Sequence, residues 1–87
     1  MNLTWTVYLL CCGDGSLYCG IARDARARLE QHQAGKGAKY TRGRGPLELI
    51  YLESCPDHSA ALRRERIIKT MSRAAKLALV GGHTCGD

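Results

Sequence analysis

Between Thr6 and Ala22 the chain runs apolar, polar, apolar: "TVYLLCC", then "GDGS", then "LYCGIA". Two apolar runs, Thr6–Cys12 and Leu17–Ala22, around glycines that tolerate positive φ predict a β-hairpin. Its register depends on the loop. If Gly13-Asp14-Gly15 forms a three-residue loop, Cys12 faces Ser16 and Leu10 faces Tyr18. All even positions then share one face, and Tyr8 lies diagonal to Tyr18. A two-residue loop would send the two tyrosines to opposite faces.

Beyond the hairpin the pattern changes. Asp24 is placed to cap a helix over Ala25–Ala34, and Gly35 to end it. The segment "GKGAKYTRGRGP", Gly35–Pro46, is glycine-rich and basic, a loop with room for one short helical turn. "LELIYL", Leu47–Leu52, has strand character. Pro56-Asp57-His58-Ser59 opens a second long helix, capped by Asp57 or Ser59 and running to about Met71. Ser72 can cap a last helix over Arg73–Val80. Residues 1–80 are expected to form one domain and "GGHTCGD", 81–87, a frayed tail. The order β-β-α-β-α-α predicts an α+β domain with a small, mainly antiparallel sheet.

With 87 residues, 45% of them hydrophobic and none of them Phe, the core must come from aliphatic side chains and tyrosines. The chain has five cysteines, an odd number, and adjacent Cys11 and Cys12 point to opposite faces of a strand. A disulfide framework is therefore not expected, and a reducing cytoplasm fits better. The cysteines contain no C-x₂-C pair, and the His83/Cys85 pair sits in the tail, so no zinc site is expected. The apolar opening has no basic head and stops at Asp14, too early to span a membrane.

Charge changes the picture more. The thirteen Lys and Arg give a net charge of +5, and all fall between Arg23 and Lys76 in two blocks. Arg23–Arg44 carries seven against Asp24 and Glu30, and Arg63–Lys76 carries six against Glu65. The hairpin and Gly45–Leu62 are net negative. Two basic blocks flanking such a hairpin point to a polyanion, nucleic acid first. Lys36, Lys39, Arg42, Arg44 and Lys69 are the candidate phosphate contacts.

Some residues are unexpected on a purely structural reading. Arg28 and His32, four apart, share the first helix's apolar face with Ala25 and Leu29. Arginine there must be paired, bound to an anion, or snorkelling at the edge. Glu65 falls in the arc of Ala61, Leu62 and Ile68, where an ionised carboxylate needs a cation. That cation is either Lys69, at i+4, or a divalent metal such as Mg²⁺. Tyr40, among basic residues, suits stacking or phosphate contact as well as anchoring its loop to the core.

Taken together, these residues resemble the GIY-YIG nuclease superfamily, and most closely its small, single-domain bacterial members. The two triplets appear as Thr6-Val7-Tyr8 and Tyr18-Cys19-Gly20, followed at the family spacing by Arg28 and His32. "GAKYTRGRGPLELIY" looks like the loop and third strand of those members. "ALRRERIIKTMSRAAKLALV" looks like their C-terminal helices, with the superfamily's glutamate at Glu65. The first triplet lacks its glycine and isoleucine, Ile21 replaces a lysine found in some members, and no asparagine follows Glu65.

The resemblance implies a three-stranded antiparallel sheet flanked by helices, with both tyrosines facing one site. It also implies a metal-dependent endonuclease that hydrolyses phosphodiester bonds; DNA, branched or damaged structures included, is the first expected substrate and RNA the second. Such a reaction needs an activated water, neutralised phosphate charge and a stabilised leaving oxygen. Glu65 would hold one Mg²⁺ or Mn²⁺, and Arg28 would neutralise the phosphate. Tyr8 or Tyr18 would orient or deprotonate the water, with nearby cations lowering its pKa. His32 would move protons or hold the phosphate. Gly20 would let the nucleic-acid backbone approach, and Tyr40 would line the site. The alternatives are a nucleic-acid-binding module of the same fold with little turnover, or an accessory domain docking on an acidic protein.

Overall fold

In the computed structural model, which describes residues 4–37 and 39–81, the hairpin forms with the three-residue loop. Strand β1 spans Trp5–Cys11 and β2 spans Leu17–Ala22, and they pair antiparallel with Leu10 opposite Tyr18 and Tyr8 opposite Gly20. The loop is closed by hydrogen bonds from Cys12 N to the Ser16 carbonyl and from Gly15 N to the Cys12 carbonyl, both 2.9 Å. Gly15, at φ 84°, supplies the left-handed residue that such a loop needs.

Strand β3, Glu48–Cys55, pairs with the other edge of β1, so the antiparallel sheet has the order β2-β1-β3. It runs three residues past the expected Leu52, and its register shifts between Leu9 and Leu10. Leu9 faces Tyr51 but Leu10 faces Leu49, which leaves Ile50 as an extra residue. The bulge resets the alternation. Leu47 and Leu49 thereby join Tyr8 and Leu10 on one face, while Ile50 and Tyr51 pack on the other.

Helices cover both faces. Helix α1, Ala25–Gln33, lies on the even-numbered face of the hairpin, capped by Asp24, which accepts from Ala27 N. It ends one residue short of the expectation. Gly35 N bonds to the His32 carbonyl and Lys36 N to the Gln31 carbonyl, the two bonds of a Schellman motif, with Gly35 at φ 77°. The sequence of α1, "ARARLEQHQ", is polar, and only Ala25 and His32 in it are buried. Apolar burial therefore anchors this helix weakly, and the hydrogen bonds of His32 become part of its attachment.

Helices α2, His58–Lys69, and α3, Arg73–Leu79, lie on the odd-numbered face, where Val7, Leu9, Cys19, Cys55, Ala61 and Ile68 form the larger core. Both begin at expected caps. Asp57 accepts from Ala60 N, and the Ser72 hydroxyl accepts from Ala75 N. Cys12, Cys19 and Cys55 are free and buried. The tail at 82–87 lies outside the described residues. Among those described, no helix is long and apolar enough to cross a membrane.

Candidate active site

On the even-numbered face, β1, β2, α1 and a 3₁₀ turn at Lys39–Thr41 each contribute a side chain to one cluster. The three-residue loop fixes the parity that brings Tyr8 and Tyr18 together, their rings 6.4 Å apart. The His32 ring stands 6.1 Å from that of Tyr8 and 5.3 Å from that of Tyr18, edge-on to both. His32 Nε2 lies 2.9 Å from the Tyr8 hydroxyl, and His32 Nδ1 lies 2.9 Å from Thr41 Oγ1. Tyr8, His32 and Thr41 are each no more than 2% exposed, so these hydrogen bonds are shielded from water. His32 is thus at the centre of the packed face, not at its edge.

Two glycines make the close approach possible. A Cβ on Gly20 would stand 2.5 Å from the Tyr8 hydroxyl oxygen. The room left by the missing side chain of Gly20 is taken up by the Tyr8 phenol. A Cβ on Gly37 would overlap the imidazole of His32, whose Cγ would be 2.7 Å away. Sequence reasoning missed both Gly37 and Thr41. Glycines abound in that loop, and a threonine nine residues after a histidine carries no local signal.

Electrostatics refines the roles. Burial, reinforced by the neighbouring Tyr18, pushes the Tyr8 phenol up to about 12, although the Arg28 guanidinium beside it pulls the other way. The charge of Arg28 does not offset this burial, and Tyr8 holds its proton at neutral pH. Burial also raises Tyr18, with Glu65 adding to the rise and Lys69 and Arg28 opposing it. His32 is depressed below its ordinary 6.5 by desolvation and by the charge of Arg28, so it is a neutral imidazole near pH 7.

Arg28 is half-buried, and its Nη1 donates to Gln31 Oε1 at 2.7 Å. Tyr40, 43% exposed, stacks on Tyr18 with centroids 5.7 Å apart, and the guanidinium of Arg44 sits 4.5 Å above the Tyr40 ring. Arg44 also pairs with Asp14, tying the glycine-rich loop to the hairpin turn. Ser16 and Arg44 together hold the Asp14 carboxyl down at about 2. Lys36, Lys39 and Arg42 are exposed on or beside the same loop, the arrangement of a cationic rim.

Glu65 reaches the cluster from the opposite layer. It projects from α2, on the odd-numbered face, yet its charge acts on both Tyr18 and Cys19 of the edge strand β2. Its side chain is 19% exposed and lies 3.4 Å from Lys69 Nζ, itself 53% exposed. Among the described residues no three His, Cys, Asp or Glu side chains converge into a metal cage. A single part-buried carboxylate is compatible with Mg²⁺, which retains waters and takes as few as one or two carboxylates from the protein.

Comparison with known proteins follows this geometry. The family model described as the GIY-YIG catalytic domain matches residues 4–78. A UPF0213 protein of Streptococcus sanguinis is 53% identical over 78 residues, 90% of each chain. One of Staphylococcus aureus is 51% identical over 74 residues, 85% of this chain and 90% of its own. Among solved structures, a UPF0213 protein from Bacillus halodurans is 45% identical with a TM-score of 0.58. A protein from E. faecalis is 34% identical with a TM-score of 0.62. Each alignment of structures covers 90% of this chain and 83% of the other.

Proposed function

The chain belongs to the GIY-YIG family, and from that premise we propose that it is a metal-dependent endonuclease hydrolysing phosphodiester bonds in DNA, branched or damaged structures included. The observation that carries the reading is the buried Tyr8–His32 hydrogen bond beside Arg28. The bond also fastens α1 to the sheet, but a neutral imidazole paired with a phenol beside a guanidinium offers in addition what a site needs to strip a proton from water next to a phosphate.

In this mechanism Arg28 leaves the Tyr8 oxygen and Gln31 for the phosphate, where its planar fork neutralises the equatorial oxygens. The Tyr8 oxygen is then open to the attacking water. Because the phenol holds its proton up to about 12, it does not act as a preformed base. It accepts the water's proton as it passes its own to His32 Nε2, which is neutral and takes it as general base. The resulting hydroxide attacks phosphorus, and the P–O bond to the leaving oxygen breaks. Glu65 would hold the divalent ion, Mg²⁺ or Mn²⁺, whose charge neutralises the phosphate and the leaving oxygen. Lys69 would join Lys36, Lys39, Arg42 and Arg44 on the flanking phosphates.

The test is cleavage of labelled duplex, branched and single-stranded DNA with Mg²⁺ or Mn²⁺, against the same reactions with chelator. Metal-dependent nicking supports the proposal. Binding without cleavage on every substrate would replace it with a nucleic-acid-binding module of the same fold.

A further inference from the structure

The second basic block of the sequence, Arg63–Lys76, carries six cations, and the fold sends them to three places. Arg64 is committed to Glu53 of β3, at 2.8 Å. Arg63 and Arg66 lie on α2 opposite the buried Ala61 and Ile68, where with Ile67 and Thr70 they line a shallow surface depression. The remaining three, Lys69, Arg73 and Lys76, gather along β2. Lys69 stands 3.4 Å from Glu65, and its charge is felt at both Tyr18 and Cys19 of that strand. Arg73 Nη1 donates to the Gly15 carbonyl at 2.6 Å, which fixes the start of α3 against the hairpin turn leading into β2. Lys76, one turn further along α3, is half-buried, and its charge acts on Cys19.

We propose that Lys69, Arg73 and Lys76 form a second phosphate-binding bank, so that a nucleic-acid backbone crosses the outer edge of β2 with cations on both layers of the sheet. The identity of this polyanion rests on the nuclease reading above. β2 is an edge strand, and among the described residues no strand pairs with its outer side. Its residues, "LYCGIA", carry no charge. The first bank, Arg28 with the loop that carries Lys36, Lys39, Arg42 and Arg44, lies on the even-numbered side. Both banks meet at the hairpin turn, which is held by an arginine from each: Arg44 through the Asp14 carboxylate and Arg73 through the Gly15 carbonyl. Among the described residues neither Arg73 nor Lys76 has a carboxylate within ion-pair distance. A part-buried ammonium with no acid beside it is one that a bound phosphate stabilises. Cations on each side of an uncharged strand match a phosphodiester chain, whose charges are regularly spaced, better than the scattered carboxylates of an acidic protein.

Two double variants remove the same charge from different places. Arg73→Gln with Lys76→Gln takes two cations from the proposed bank, and Arg63→Gln with Arg66→Gln takes two from the outward face of α2. Affinity for fluorescein-labelled DNA, duplex and single-stranded, is measured by anisotropy over a salt series, with EDTA present so that no strand is cut. Each phosphate contact contributes about 0.7–0.9 to the slope of log K against log salt. The bank variant is therefore expected to lose about 1.4–1.8 of slope, and the outward-face variant almost none. Because Arg73→Gln also alters the contact with the turn, Lys76→Gln is measured alone and should lose half as much. Equal losses in the two double variants, or no loss in the bank variant, would overturn the second bank, as would a wild type that binds no DNA. The expected contrast in a wild type that cuts nothing with Mg²⁺ or Mn²⁺ would end the nuclease reading and leave the bank standing. Cleavage by wild type without the contrast would do the reverse.

Discussion

The Tyr8 hydroxyl and His32 Nε2 stand 2.9 Å apart, joining the central strand to a helix twenty-four residues later in the chain. The same bond fastens a polar helix to the sheet and aligns a proton donor with its acceptor. Structure and chemistry are coupled at this point, so perturbing it acts on both.

That coupling is expected to make the protein, and the proposed reaction with it, pH-sensitive in a defined direction. His32 is depressed below 6.5 in the fold, so the unfolded chain binds its proton first as pH falls. The stability contributed by the neutral, buried ring is complete above pH 6.5 and is lost as pH falls from there through the folded-state value. Cleavage, which needs the neutral ring, is expected to persist below pH 6.5 before falling on its acid side. Urea unfolding and initial cleavage rates measured over the same pH series check both. An acid limb centred above 6.5 would contradict the burial of His32.

Gly20→Ala tests the packing of the tyrosine. Its new methyl would stand 2.5 Å from the Tyr8 oxygen and 3.1 Å from the Tyr18 ring. The phenol must move, and overpacking of this kind costs about 1–3 kcal/mol. The urea midpoint should drop accordingly, and cleavage should fall beyond what the unfolded fraction explains. A variant of wild-type stability would mean that Gly20 does serve approach of the substrate rather than room for Tyr8.

Glu65→Gln separates the metal from the ion pair. The pair with Lys69 is exposed on the lysine side, so its loss should cost only a few tenths of a kcal/mol. The variant is expected to fold, to bind DNA as well as wild type or slightly better, and to cut nothing in Mg²⁺. Fluorescence anisotropy and gel-based cleavage measured side by side distinguish these effects. An active Glu65→Gln protein would end the case for a carboxylate-held ion.

Arg28→Ala should separate rate from affinity. One cation of many leaves the binding surface, and the contact to the transferring phosphate goes with it. Cleavage is expected to fall by on the order of 10²-fold or more while DNA affinity changes little. Since Arg28 also lowers Tyr8, the phenol should titrate still higher in the variant, which NMR of the ring carbons can follow. Equal, modest declines in rate and affinity would mark Arg28 as an ordinary surface arginine.

The sequence by itself determined the local decisions. Gly15 in the turn, the caps Asp24, Asp57 and Ser72, and the stop at Gly35 act within a few residues, so their chemistry is legible in order along the chain. The spacing of Tyr8, Tyr18, Arg28, His32 and Glu65 likewise marked them as candidate site residues before any contact was known. Tertiary structure alone decided what those residues touch. The extra residue at Ile50 resets the parity of β3, an effect that shows only once two strands are paired. Burial raises the Tyr8 pKa against the pull of Arg28, because desolvation depends on everything packed around the phenol and outweighs one nearby arginine. Thr41 and Gly37 became site residues only when the loop folded over His32, and Glu65 only when α2 lay along the edge of β2. Caps and turns are short-range and follow the order of the chain. Hydrogen bonds to a buried ring depend on the order in space, which packing sets.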